Sequence, residues 1–322
     1  MLEKQDRINI LCASDDNYVP WCGIMLTSLF ESNPGECFGV YFLTAGLTPE
    51  NTSALQKLEE KYPVKLSFVH VDESMLESCS IREGSYFSLA TYYRLLAPRV
   101  LPPDVEKVIY LDCDIVVNGP VRPLWESDIE AKAFGAIMDE SFYQDDFYRR
   151  LQYPKEEGYV NAGVLLINLK YWREKAGMER CMSFLSRNQE VLTFYDQDVL
   201  NKVFFAEKEI LNLTYNFQNG FLLWWQYGYY QGEMKKEIDA YTMNPVIIHF
   251  DGSSKPWHKD CHHPYASFFR YYKEHSLWRE TPLVGRYSLK DRLKWIGYNL
   301  YVLLGLRKAM FRIPNQKKHP KQ

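Results

Sequence analysis

Short apolar runs alternate with helix-like segments along most of the chain, and this rhythm restricts the fold more than any other feature of the sequence. RINILCAS (7–14), GVYFLTAG (39–46), KLSFVHVD (65–72) and KVIYLDCDIVV (107–117) read as strands. They are apolar on both faces, as strands covered on both sides must be. Between them PWCGIMLTSLFES (20–32), TPENTSALQKLEEKY (48–62) and SLATYYRLLAP (88–98) read as helices. The second opens with Thr48 as N-cap and Pro49 at the first helical position. FGAIMD (134–139), AGVLLINL (162–169), EILNLTYNF (209–217) and PVIIHF (245–250) add strands, with helices near 172–187 and 196–205. The expected fold is α/β, a Rossmann-like, mainly parallel sheet flanked by helices over residues 1–265. A helical, basic C-terminal extension follows over 266–322. Ligands of such sheets bind beyond the carboxyl ends of the strands. That rule places residues 14–18, 112–114 and 249–255 on one rim.

The turn after the first strand, ASDDNY (13–18), excludes one common use of this fold. A dinucleotide site needs GxGxxG there, so that backbone amides can approach a pyrophosphate. Here there is no glycine and there are two acids, which suit the N–H and hydroxyl groups of a base or ribose. The competing reading is a helix N-cap made by Asp15, Asp16 or Asn17.

Asp112 and Asp114 end the apolar run KVIYL. Residues i and i+2 of a strand face the same side, so the two carboxylates can converge on one hard cation, Mg²⁺ or Mn²⁺. Such an ion can bridge a diphosphate and stabilise it as a leaving group. A phosphatase nucleophile motif would carry threonine two residues beyond the second acid, and Val116 stands there. HFDGSSKPWH (249–258) brings His249 to another strand end, where its nitrogen favours Mn²⁺ over Mg²⁺. Gly252 permits close backbone approach to a phosphate and Lys255 supplies charge for it. The irregular spacing of His258, Cys261, His262 and His263 does not make a zinc site.

Together ASDDNY, TYYRLLAP, YLDCDIVV, VNAGVLLINL, DQDVLN and HFDGSSKPWH resemble glycosyltransferase family 8, which includes bacterial lipopolysaccharide galactosyl- and glucosyltransferases and, more distantly, glycogenin. The resemblance implies a GT-A fold and transfer of a hexose, galactose or glucose, from a UDP-sugar with retention of anomeric configuration. The acceptor it implies is an oligosaccharide or lipid-linked saccharide of a cell-surface glycan such as lipopolysaccharide. Asp15, Asn17 and Tyr18 match the uridine-binding turn, and Arg94 the arginine on donor sugar and diphosphate. Asp112, Asp114 and His249 match Mn²⁺ ligands, and Gly252 and Lys255 a diphosphate clamp. Asn161, Asp196 and Gln197 match positions holding the donor sugar, with Gln197 nearest the reacting carbon. Asp139 lies where that sugar or the acceptor is contacted. Read without the resemblance, Arg94 is equally a structural ion-pair residue and DQD a helix cap. The segment 141–158 matches no particular subfamily and is a candidate cover for the acceptor. Other readings of the same motifs are a catalytically weak UDP-sugar-binding protein and a transferase using a UDP-N-acetylhexosamine.

Charge separates the chain into two parts. Residues 286–322 carry ten Lys and Arg against one acid, Asp291, so this tail is +9 and the remainder −12. Within it, Trp295 to Leu306 form an apolar stretch too short to span a bilayer, which takes about 20 residues. Basic residues and aromatics around an apolar face suit a helix lying on an anionic inner leaflet. Seven scattered cysteines without a CxxC pair, and an N-terminus without a signal-peptide pattern, point to reduced thiols in the cytoplasm. No nucleic-acid partner is expected.

Overall fold

A computed structural model describes residues 7–77, 79, 81, 88–285, 289–306 and 308–311. Its strands are β1 (Ile8–Ala13), β2 (Phe38–Thr44), β3 (Val64–His70), β4 (Lys107–Leu111), β5 (Ile115–Val117), β6 (Phe134–Met138), β7 (Val160–Asn168), β8 (Lys208–Ile210) and β9 (Ile247–His249). Seven of them form one sheet in the order β3-β2-β1-β4-β7-β6-β8, and β5 pairs with β9 in a separate ribbon. Neighbours from β3 to β4 run parallel, as do β6 and β8, while β7 runs antiparallel to both β4 and β6. The sheet is therefore mainly parallel, with one reversed strand at its centre.

The unbroken apolar character of β1, β2, β4 and β7 is explained by cover on both faces, whereas β3, at the edge of the sheet, has no buried residue. Ile8, Ile10 and Cys12 of β1 pack into one core cluster while Leu11, between them, joins the other. The helix Val19–Ser32 is buried on nearly every side, from Val19 to Phe30. It lies between the sheet and the helix Ala266–His275, where Ser32 Oγ meets Tyr272 Oη at 2.7 Å. Gly23 permits this approach, because a side chain there would overlap the Trp278 ring. Phe269, Tyr272 and Trp278, beyond Tyr265, thus belong to the same core as the first strand.

Three local expectations change. KVIYLDCDIVV is not one strand: the chain turns at Asp112–Asp114, and β5 leaves for the second ribbon. Carboxylates at successive same-side positions of a buried strand would need cations in the core, and the turn moves them to the rim instead. EILNLTYNF is strand only over Lys208–Ile210, after which Asn212 caps a 3₁₀ turn at Leu213–Tyr215. SLATYYRLLAP is a 3₁₀ helix over Leu89–Leu96 that becomes α-helical only at Ala97–Val100. Thr48, by contrast, caps the helix Pro49–Gln56 by accepting from Asn51 N at 3.3 Å.

One irregularity shapes the site. Ile137 pairs with Asn161, but the adjacent Ala136 pairs with Leu165, so β6 skips Ala162, Gly163 and Val164. Bulges of this kind re-aim side chains beside active sites. Asn161, Ala162 and Gly163 line a cavity beside this bulge.

Candidate active site

That cavity, of about 360 Å³, opens at the carboxyl ends of β1 and β4. The rim expected from the sheet rule is found there: Ser14, Asp15, Tyr18, Asp112, Asp114, His249, Gly252 and Lys255 all line it. Asp139, Asn161, Asp196, Gln197 and Arg94 line it as well. Of the candidate residues only Asn17 stays outside; it is exposed, and its backbone N–H donates to Asp15 Oδ1 at 2.9 Å. Asp15 also accepts from Tyr18 N at 3.2 Å, so the N-cap reading of this turn is realised while Asp15 still faces the cavity. Asp16 turns away and accepts from Thr48. Tyr18 stands half out of the protein, edge-on to Trp257, leaving a ring face for a ligand.

Asp112, Asp114 and His249 present one donor atom each within 4.8 Å of one another, alone in doing so among the described residues. His249 Nε2 lies 3.3 Å from Asp114 Oδ1 and 4.0 Å from Asp112 Oδ2. The remaining carboxylate oxygens are committed to cations. Arg94 Nη2 donates to Asp112 Oδ1 at 2.9 Å, beside the Tyr110 hydroxyl at 2.7 Å, and Lys255 Nζ donates to Asp114 Oδ2. Burial opposes the charge on Asp114, but Lys255 and then His249 outweigh it and hold the carboxyl well below the usual carboxylate range. Burial likewise opposes charge on His249, and the acids, Asp114 foremost, raise it above its ordinary value.

A buried amide relay decides which nitrogen of His249 faces the acids. Gly163 N–H can only donate, and it donates to Asn161 Oδ1 at 2.9 Å. Asn216 meets the same oxygen at 2.9 Å and must do so through Nδ2. Its Oδ1 is thereby left to accept from His249 Nδ1 at 2.9 Å. Nε2 then faces the two carboxylates, and once deprotonated it offers with them three donor atoms that a divalent cation satisfies. Gly163 itself is sterically required, since a Cβ there would come within 2.8 Å of His249 Nδ1 and 3.0 Å of Asp112 Oδ2. The two acids, the imidazole and their oriented supports fit a hard divalent ion.

The opposite wall is made of carboxylates and amides hydrogen-bonded to one another. Gln197 Oε1 accepts from Ala162 N at 3.0 Å and its Nε2 donates to Asp139 Oδ2 at 3.1 Å. Asn161 Nδ2 donates to that oxygen at 3.3 Å, and Ser141 N to Oδ1 at 2.9 Å. Burial, reinforced by Asp251, pushes Asp139 up to about 6. Asp196 is also pushed up to about 6 by burial, against the opposing charge of Arg94. Thr91 donates to its Oδ1 at 2.6 Å, while Oδ2, 3.1 Å from Arg94 Nε, has no hydrogen-bond donor among the described residues because Nε is directed at Thr91 O. Arg94 is thus both an ion-pair residue and a cavity residue. Within DQD the third residue differs in role: Asp198 is fully buried and clamped by Arg150 Nη1 at 2.7 Å and the Tyr159 hydroxyl at 2.7 Å. The segment 141–158 forms the helix Asp145–Leu151, whose Phe147, Tyr148 and Leu151 pack with Tyr153 and Tyr159 in a small cluster of their own.

Residues that the motifs did not single out complete the site. Asn216 and Gly163 orient the histidine, Gln218 Oε1 accepts from Glu140 N at 2.8 Å, and Asp251 Oδ1 accepts from Asn219 N at 2.8 Å. Asn216 lay in a segment read as strand; its fully buried amide is visible only in three dimensions. Of the histidines that follow the HFDGSSKPWH motif, His262 stacks on Trp295 and His263 is buried against Phe250. We expect Asn216→Ala to lower the affinity for Mn²⁺, titrated calorimetrically, by about 10–100-fold with the fold retained by circular dichroism. Unaltered affinity would mean that the amide relay does not orient the ring.

The chain matches the family model described as glycosyl transferase family 8 over residues 9–261. It is 26% identical to a lipopolysaccharide 1,2-glucosyltransferase of Escherichia coli, across 96% of this chain and 91% of that protein. It is 27% identical to general stress protein A of Bacillus subtilis, across 86% of this chain and 96% of that one. Among solved structures, the galactosyltransferase LgtC in complex with donor and acceptor sugar analogs superposes with a TM-score of 0.76 at 25% identity, over 89% of this chain and 100% of that chain. The architecture is GT-A, and the protein belongs to glycosyltransferase family 8.

Proposed function

We propose that the protein is a Mn²⁺-dependent, retaining hexosyltransferase that moves galactose or glucose from a UDP-sugar to a saccharide acceptor of a cell-surface glycan such as lipopolysaccharide. The observation that carries this reading is the meeting, in one cavity, of the Asp112–Asp114–His249 donor set with the carboxylate and amide wall of Asp139, Asn161, Asp196 and Gln197. It is supported by relatives named as lipopolysaccharide glucosyl- and 1,3-galactosyltransferases.

In this reading Tyr18 stacks on the uracil and Asp15 faces the ribose. An ion at the three donors supplies the charge that makes the diphosphate a good leaving group. Lys255, now on Asp114 Oδ2 and Phe250 O, turns to the diphosphate when it arrives, beside the Gly252 backbone held at φ 77°. Arg94 and Asp196 face the donor sugar and diphosphate. Gln197, held at both ends of its amide, positions the sugar; an amide so held is a poor nucleophile. Retention then follows same-face attack: the acceptor oxygen bonds to the anomeric carbon as its bond to phosphate breaks. The acceptor proton passes to the departing β-phosphate oxygen.

The tail supports attachment at a membrane surface. The helix Leu289–Leu303 and the residues after it expose Leu293, Ile296, Leu300, Leu303, Leu304 and Leu306, each more than half accessible. No helix among the described residues is long and apolar enough to cross a membrane. Of the ten basic residues only Lys294 and Lys308 have described side chains. We propose that this face rests on an anionic inner leaflet, close to a lipid-linked acceptor.

UDP release measured across UDP-galactose, UDP-glucose and UDP-N-acetylhexosamines should favour one UDP-hexose, require Mn²⁺, and fall to background in Asp112→Ala and Asp114→Ala. Wild-type turnover in either variant would contradict the metal assignment. Removal of residues 286–322 should abolish co-flotation with vesicles containing phosphatidylglycerol, and undiminished flotation would refute the lipid contact.

A further inference from the structure

A second concavity, of about 650 Å³, lies between the segment 223–227 and the C-terminal helix. Trp224 and Tyr227 form one wall; Trp295 and Tyr298, stacked at 5.1 Å, form the other. Asp260 and Lys308 supply polar groups, with the Lys308 ammonium 5.4 Å from the centre of the Tyr227 ring. Trp224 and Tyr227 are 37% and 57% exposed, large rings left open to solvent.

Aromatic contacts extend from the groove toward the segment that borders the catalytic cavity. Ser141 lines that cavity. Two residues on, Tyr143 stacks on Tyr229 with ring centres 4.8 Å apart and planes 13° from parallel. Tyr229, half exposed, meets Trp224 edge-on at 6.1 Å, and Trp224 meets Tyr227 at 6.1 Å. Successive ring contacts thus join Tyr143, two residues from the cavity-lining Ser141, to the groove. A lipid tail would want an apolar trench, and a polypeptide backbone a row of hydrogen-bonding partners. Trp295 is sandwiched between His262 and Tyr298, so the open rings are Trp224 and Tyr227; with an acid and an amine at the edges they suit pyranose rings, which offer C–H faces for stacking and hydroxyl edges for charged groups.

We propose that this groove binds the sugar residues of the acceptor that lie beyond the one being glycosylated, so that Trp224, Tyr227, Trp295 and Tyr298 form a distal subsite for an oligosaccharide. The inference rests on the glycosyltransferase reading and extends it: the enzyme selects a chain rather than a monosaccharide or disaccharide. The same helix that makes one wall turns its leucines outward, so the groove sits where a membrane-anchored glycan would emerge.

Trp224→Ala and Tyr227→Ala test it, since both residues are exposed and outside the catalytic cavity. Calorimetric titration of the full chain with deacylated lipopolysaccharide core oligosaccharide should show saturable binding, weakened roughly tenfold in each variant. Binding of lactose, Mn²⁺-dependent hydrolysis of the UDP-sugar and flotation with phosphatidylglycerol vesicles should be unaltered. No saturable oligosaccharide binding by the wild type, equal affinity in the variants, or an equal loss for lactose overturns the subsite. Loss of vesicle flotation with oligosaccharide affinity intact reassigns the groove to lipid and also overturns it. Donor hydrolysis that fails in the wild type instead removes the transferase reading beneath it.

Discussion

Two carboxylates lie 27% and 15% exposed at the end of a buried strand, and they coexist because positive groups meet them from separate elements. Arg94 comes from the 3₁₀ helix, Lys255 from the loop after β9, and His249 from β9 itself. An isolated buried carboxylate costs several kcal/mol, and each partner relieves one oxygen while leaving another pointed inward. The rest of the site follows from keeping those partners in place. β5 leaves the main sheet to pair with β9, which brings Ile115 opposite His249 and so sets the histidine beside the acids. The bulge in β7 puts Gly163 where no side chain fits and starts the amide relay through Asn161 and Asn216 to the ring.

The facing wall depends on the opposite balance. Asp139 has amides rather than cations for neighbours, and burial lifts it toward neutral pH. An acid held this way is ionised only at some cost, and a sugar hydroxyl donating to it recovers part of that cost. One cavity thus sets Asp114, held charged by Lys255 and His249, across from Asp139 and Asp196, whose carboxyls burial pushes up to about 6.

What was legible in the sequence follows from which interactions are local. Strands buried on both faces show as apolar runs, so β1, β2, β4, β6, β7 and β9 could be placed from the chain alone; β3 could be placed too, although as an edge strand it has no buried residue, and the sheet rule then located the rim. Asp112, Asp114 and His249 stand out because charge at the end of an apolar run is unusual. The break of KVIYLDCDIVV was hidden because its second half, Ile115–Val117, is as apolar as its first; only pairing with β9 separates them. The reversed direction of β7 was hidden too, since strand direction is decided by connections rather than composition. Asn216 and Gly163 were invisible for the same reason: their roles exist only once residues 161, 216 and 249 meet. The DQD motif shows both sides, with Asp196 and Gln197 facing the cavity and Asp198 clamped by Arg150, a difference that i, i+2 spacing on a helix does not reveal.

The most direct test is anomalous diffraction at the manganese edge from crystals grown with Mn²⁺ and UDP. A single strong peak bonded to a carboxylate oxygen of Asp112, one of Asp114 and His249 Nε2, and touching the diphosphate, is the predicted result. Ordered UDP in the cavity with no manganese peak between those side chains, or with the peak elsewhere, would contradict the account.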